Sequence, residues 1–325
     1  MKNFQSINNG FDRTFEPNRL SLGVVVPIEN YSQSTVPSLQ HHLKRVQLVE
    51  KLGFKAIWVR DVPFHVPFFG DAGQTFDPFT YLGFLAGQTN TIALGAASIA
   101  LPLHHPVHVA KSAATIDQLS NGRLIMGVAS GDRPTEYPAM NITFEKRDAL
   151  FRDAFNYIRA SQKDFPVLEE NQHGTLTGQI DVLPKPASTK IPMLITGFSR
   201  QTTEWNAQHG DGWIYYPRPT MQQAYTIAQW RGAIAKHHNY DKPFMQPLYV
   251  ILEEEDDFKP QAIQLGFRIG ANYLIEYFRE MQKIGVNHIA INLRFNRRDT
   301  DVTLEELAEK VLPHFHSQIK EEIKI

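Results

Sequence analysis

From residue 20 onward, short apolar runs alternate with longer amphipathic stretches. Strands covered on both faces read as unbroken apolar runs, so this alternation predicts strand–helix units repeated around a parallel sheet. Residues 20–27 (LSLGVVVP) open as a strand. Residues 37–52 then place Leu39, Leu43, Val46, Val49 and Leu52 at helical spacings of three and four, and Gly53 stops that helix. The same reading gives strands at 55–61, 91–98 and 123–130, with helices at 77–89, 106–119 and 144–162. Residues 163–190, rich in Pro, Gly and Thr, form an excursion from the repeat. Four more strands follow at 192–196, 212–217, 244–252 and 286–293. Their helices run to about Gly210, over 220–238 and over 268–284, the last after an acidic loop at 253–257, and a capping box Thr303…Glu306 opens a final helix.

Eight strands and eight helices in alternation predict one (β/α)8 barrel, of the TIM barrel type, spanning residues 1–325. Residues 1–19 are its N-terminal arm, 163–190 an insertion, and inserted loops follow the fourth helix and the seventh strand. A doubly wound open sheet is the alternative for the same pattern. A length of 325 residues suits one such core, because a barrel takes roughly 250.

Composition narrows the chemistry. With 33 basic against 34 acidic residues, no net field draws the chain to nucleic acid or to an anionic membrane. The absence of cysteine removes disulfides, thiolate metal sites and cysteine nucleophiles. No stretch of signal-peptide character opens the chain, and no apolar run reaches the roughly 18 residues of a membrane helix, so a cytoplasmic location is expected. His104, His105 and His108 cluster without an acidic ligand at HExxH spacing, and no metal site is expected. No Gly-x-Gly-x-x-Gly follows a strand, and no phosphate-binding P-loop or Gly-x-Ser-x-Gly elbow occurs.

Barrel enzymes place their chemistry at the C-terminal ends of the strands. There the segment Gly197, Phe198, Ser199, Arg200, Gln201, Thr202 combines hydroxyls, a cation and a helix start, which suits a phosphate; Ser199 and Thr202 equally suit plain helix capping. Ala97 and Ser98 leave the third strand without bulk, so a planar ring fits against the backbone, as does simple close packing. Ser130 and Gly131 offer a polar turn after the fourth strand. Asp61 and Arg294, at the ends of strands two and eight, are the candidates to orient reacting groups, or else a structural ion pair. Phe64, Tyr137 and Tyr215 are the candidates to line substrate space.

Residues 92–131 (IALGAASIALPLHHPVHVAKSAATIDQLSNGRLIMGVASG) resemble the core of the bacterial-luciferase-like flavin monooxygenases. The run Thr202 to Trp205, followed by Ala207-Gln208-His209-Gly210, is similar to the segment after strand five in bacterial luciferase. The likeness extends from about residue 20 to 315, and the phrases at 60–64 and 70–73 resemble a bacterial subgroup of luciferase-type oxidoreductases. It implies a flavin-dependent monooxygenase using reduced FMN and O2 on a small organic substrate, with F420-dependent hydride transfer or flavin binding without turnover as alternatives. It further implies phosphate-binding hydroxyls at Ser199 and Thr202, a non-proline cis peptide at Ala97-Ser98 behind the flavin ring, a homodimer, and supply of reduced FMN by a separate NAD(P)H-dependent flavin reductase. Two departures qualify this. Ser130 stands where luciferase places an arginine for the flavin phosphate, leaving Arg200 to supply the charge. Val62 and Pro63 stand where luciferase has two histidines, the first of them catalytic, which argues against light emission from a long-chain aldehyde.

Overall fold

The computed structural model describes residues 2–70 and 73–315. Eight parallel strands form its barrel: β1 (Ser21–Val25), β2 (Ala56–Val59), β3 (Ala93–Ala100), β4 (Leu124–Ala129), β5 (Met193–Thr196), β6 (Gly212–Ile214), β7 (Phe244–Leu252) and β8 (His288–Asn292). Neighbours pair in chain order. The ring closes through Ser21 of β1 opposite His288 of β8, and Trp213 of β6 opposite Phe244 of β7. With both edges paired, the open-sheet alternative is excluded.

The outer layer comprises α1 (His42–Lys51), α2 (Pro78–Ala86), α3 (Pro106–Leu119), α4 (Arg147–Ser161), α5 (Thr203–His209), α6 (Thr220–His237), α7 (Ala271–Ile284) and α8 (Thr300–Glu306). Their starts follow local chemistry. Asp77 accepts from Thr80 N at 2.7 Å ahead of Pro78, and Pro106 opens α3, where its missing N–H costs nothing. Asn121 and Gly122 both take positive φ, 55° and 74°, and so turn the chain tightly into β4.

Three expectations about element boundaries need correction. α1 begins at His42 rather than at residue 37, because the Glu29 carboxylate captures the N–H groups of Ser38 and Leu39 at 2.6 and 3.3 Å and holds that segment in a turn. Residues 261–269 are a hairpin, Gln261–Ile263 against Gly266–Ile269, whose second strand pairs alongside β7. Arg268 therefore lies in a strand, bound to Glu253 at 2.5 Å, and α7 starts only at Ala271. Gly266 permits this pairing, since a Cβ there would sit 1.9 Å from Tyr249 O. The last helix is capped by Asp299, which accepts from Val302 N at 2.9 Å, and not by Thr303, whose hydroxyl donates to Asp299 O at 2.6 Å. The excursion at 163–190 holds a second hairpin, Leu168–Asn171 with Gly174–Thr177.

Two apolar layers result. One lies between strands and helices; the other fills the barrel, where Val25, Ala56, Trp58, Ala93, Ile125, Leu194, Ile214, Met245 and Ala290 meet Ile7, Phe11 and Phe15 of the N-terminal arm. The arm thus plugs the lower end. A polar chain runs through this interior: Trp58 Nε1–H donates to His288 Nε2 at 2.9 Å, and His288 Nδ1 lies 2.6 Å from Ser21 Oγ, which donates to Thr14 O at 2.5 Å. Indole is a donor only, so Nε2 must accept and Nδ1 carries the proton.

Candidate active site

The opposite, upper end of the barrel opens into a cavity of about 520 Å³. Its apolar floor is the top of the barrel core, Val25, Ile214, Met245 and Ala290. Ala97 and Thr196 form one wall; Arg60, Arg294, Asn292, Tyr215, Tyr216, Tyr249 and Phe295 approach from the others, and Gln264 and Leu265 reach in from the hairpin after β7.

The wall at β3 is shaped by its backbone. The register against β4 shifts between Ala96 and Ile99, and the peptide between Ala97 and Ser98 is cis. Ala97 presents only a methyl group to the cavity, while the Ser98 hydroxyl is bonded to that of Thr196 above β4.

Past Thr196 the chain takes positive φ at Gly197 (55°), Ser199 (45°) and Arg200 (61°). The loop is braced from three directions. Gly197 N donates to Ile214 O at 2.8 Å, and Ser199 Oγ donates to Thr196 O at 2.8 Å. Gln201 Oε1 accepts from Arg152 Nε and Nη2 at 3.1 and 2.7 Å, and its amide donates to Asp148 O at 3.0 Å. Thr202 caps α5, accepting from Trp205 N at 3.1 Å, which leaves its hydroxyl proton to donate elsewhere. Phe198 packs on Trp213 and Tyr215 with ring centroids 5.6 and 5.8 Å away, and Arg200 is exposed. Gln201 is therefore a brace of this loop from below, the Ser199 hydroxyl is engaged with Thr196 O, and Arg200 and the hydroxyl proton of Thr202 stand at the loop's edge.

The turn after β4 is supported from beneath in the same way. Tyr137 donates its hydroxyl to Ser130 O, and a Cβ on Gly131 would fall 2.5 Å from that oxygen of Tyr137. Tyr137 is fully buried against Phe144, so it supports the Ser130–Gly131 turn and is not among the residues lining the cavity. Beside it, Arg147 stacks 3.5 Å over Phe144 and donates to Phe144 O at 2.8 Å, a cation near this turn that the pattern reading missed. Its only signal was a basic residue opening the α4 stripe.

Asp61 and Arg294 part company. One Asp61 oxygen accepts from Ala100 N at 3.0 Å and meets His104 Nε2 at 2.7 Å, with its side chain 2% exposed. It ties β2 to the segment after β3 and stays out of the cavity wall. Burial pulls His104 down, but the bond and charge of Asp61, with Asp77 adding to them, outweigh this and hold the imidazole above its ordinary value. Arg60, one residue earlier, faces the cavity instead, as alternation along a strand requires. Arg294 lines the cavity, donates to Gly70 O at 2.7 Å and lies 4.8 Å over the Tyr31 ring. Tyr215 lines it also, whereas Phe64 is exposed and Phe69 occupies the wall in its place. Of the 70–73 phrase, Asp71 and Ala72 lie outside the described residues.

No helix among the described residues is long and apolar enough to cross a membrane. Comparison with known proteins gives a consistent result. The family model for luciferase-like monooxygenases matches residues 20–298. The chain is 26% identical over 251 residues to an alkanal monooxygenase beta chain of Photorhabdus luminescens, covering 76% of this chain and 75% of that one. It is 29% identical over 181 residues to an alkanal monooxygenase alpha chain of the same organism, covering 55% and 48%. Among solved structures it resembles the monooxygenase RslO1 from Streptomyces bottropensis, with a TM-score of 0.76 at 19% identity over 91% of this chain and all of that one. An F420-dependent secondary alcohol dehydrogenase superposes with a TM-score of 0.75 at 17% identity, over 92% of this chain and all of that one. The match over most of the barrel establishes that this chain belongs to the luciferase-like monooxygenase family.

Proposed function

We propose that the chain oxidises a small organic substrate with O2, using reduced FMN held at the barrel mouth. The observation that carries this reading is one cavity bordered both by the bare Ala97 wall and, through Thr196, by the left-handed turn at 197–200. A planar ring lies flat only where no bulky side chain projects, and Ala97, with a single methyl group, meets that condition. With the N–H groups of Gly197 and Gln201 already bonded to Ile214 O and Phe198 O, the turn has the N–H groups of 198–200 left to offer a phosphate, and Arg200 and Thr202 stand at its edge with a charge and a hydroxyl proton. The residues present thus fit FMN.

Reduced flavin, when bound, supplies the electrons that activate O2. The chain's own part is positioning and exclusion of water: Tyr215, Tyr249 and Phe295 wall the space, and Asp61 steadies the backbone beyond Ala97 through Ala100 N–H. The monooxygenase names of the sequence relatives support oxygen chemistry over hydride transfer. With no nicotinamide-binding fingerprint in the chain, reduced FMN is expected from a separate NAD(P)H-dependent flavin reductase.

The test is calorimetric titration with oxidised and photoreduced FMN and with F420, followed by oxygen uptake with photoreduced FMN and candidate substrates. Saturable FMN binding with substrate-dependent product is expected. Binding of F420 alone, without oxygen consumption, reassigns the chain to hydride transfer; FMN binding with no product from any substrate reassigns it to flavin binding alone. Binding of neither cofactor by folded protein overturns the proposal.

A further inference from the structure

The upper ends of β7 and β8 place two polar side chains next to each other on the cavity wall. Asn292 stands directly opposite Tyr249 in the register, two residues beyond Ala290 and Pro247, and all four line the cavity. Neighbouring strands lie about 4.8 Å apart, so the amide and the phenol share one corner of the mouth. Both are held in place without using their donors. Asn292 Oδ1 accepts from Arg294 N at 3.0 Å, which fixes the orientation of the amide and turns Nδ2 the other way. Tyr249 N donates to Leu265 O at 3.1 Å, and its ring packs on Phe295 with centroids 5.0 Å apart. Asn292 is only 5% exposed, yet among the described residues its Nδ2 has no hydrogen-bond partner and opens on the cavity. Tyr249 Oη likewise has no partner among the described residues.

Buried donors are almost always paired, so a buried amide left open toward a cavity marks a place for an acceptor from outside the chain. With Oδ1 turned to the backbone, Asn292 shows the cavity a donor alone. The pair is uncharged and stands beside Met245, Leu248 and Ala290, which favours a neutral acceptor on an apolar body. A carbonyl oxygen, neutral and with two lone pairs, matches two neighbouring donors. Ring topology gives such a group its place. In the order β1 to β8, β7 stands opposite β3, so Tyr249 and the bare Ala97 wall face each other across the mouth. A carbonyl held at the pair lies across the cavity from the wall that suits a planar ring.

We propose that Tyr249 and Asn292 are positioning residues that hold the carbonyl oxygen of an uncharged organic substrate and so decide which molecules lie against the ring. The inference rests on the flavin reading for the reaction that follows but not for the binding itself. Ligand-observed NMR titration of the intact protein, with and without saturating oxidised FMN, compares acetophenone with α-methylstyrene, for wild type, Tyr249→Phe and Asn292→Asp. The second ligand carries a methylene group in place of the carbonyl oxygen. Wild type is expected to bind acetophenone saturably and about tenfold or more tighter than the alkene, which leaves both donors unpaired. Tyr249→Phe removes one donor and should lower that preference about fivefold, with alkene affinity within about twofold of wild type. Asn292→Asp keeps an acceptor for Arg294 N but loses the donor, and should lower the preference at least as far. A purely structural role would weaken both ligands alike and leave the preference unchanged. Near-UV circular dichroism checks the fold of each variant, and if Asn292→Asp does not fold, Tyr249→Phe decides alone. Equal binding of the two ligands by wild type, no saturable binding of acetophenone, or an unchanged preference in folded Tyr249→Phe overturns the pair. So does a loss of FMN affinity in Tyr249→Phe as large as the loss for acetophenone, which would assign the phenol to the cofactor. Failure of wild type to bind FMN while the preference behaves as described overturns the flavin reading and leaves the pair standing.

Discussion

Asp61 holds one carboxylate oxygen between Ala100 N–H and the His104 ring, so a side chain at the end of β2 steadies the stretch just past Ala97. Because His104 is held above its ordinary value of 6.5 in the fold, the pair's contribution is fully present below about pH 6.5 and is lost as pH rises through the folded value. Wild type should therefore lose its advantage over a His104→Gln variant as pH is raised from about 6 to about 9, in urea unfolding at each pH. A difference that stays flat across that range would mean that the fold does not raise the imidazole above its ordinary value. Asp61 was legible as a polar residue at a strand end, but not its direction. Arg60 and Asp61 are adjacent, and alternation sends one into the cavity and the other outward.

Elements are joined at the lower rim by charges that the apolar pattern did not reveal. Asp211, at the start of β6, accepts from Met193 N of β5 at 2.9 Å and pairs with Lys190 at 2.5 Å and with Arg159 of α4. Burial pushes its carboxyl up, but the charges of Arg159 and Lys190 outweigh that and hold it at about 2, below the ordinary 3.8. The tie between α4 and β5 is then complete above pH 3.8 and is lost as pH falls toward about 2. Asp211→Asn leaves two cations at a buried site and should cost about 3–5 kcal/mol at neutral pH by denaturant unfolding. A loss under about 1 kcal/mol would show that the cations find solvent instead. Helices and strands of the repeat were legible because each helix carries a period and each strand an unbroken apolar run. The hairpins at 168–177 and 261–269 were not, since short, partly exposed strands lack an apolar run, and Gly266 reads as a loop until β7 is seen beside it.

At the scale of the whole molecule, the barrel is stoppered below by the N-terminal arm and open above. Phe11, 2% exposed among barrel-interior residues, should cost about 3–5 kcal/mol when changed to alanine. Phe68, 79% exposed near the upper mouth, should change stability by no more than about 0.5 kcal/mol under the same substitution. Equal, small effects in thermal or urea unfolding would show that the arm does not close the barrel. The amino-acid sequence by itself determined the number and order of the strands, the class of fold and the end at which chemistry belongs, because burial on two faces writes itself into continuous apolar runs. Only the tertiary structure decided which polar groups meet there. Thr196, Arg60 and Tyr249 join Arg294 and Tyr215 around one cavity, while Asp61, Tyr137 and Gln201 turn away to brace it. The reason is geometric: at a strand end the periodic pattern stops, and the facing of each side chain is set by partners distant in sequence that supply its hydrogen bonds.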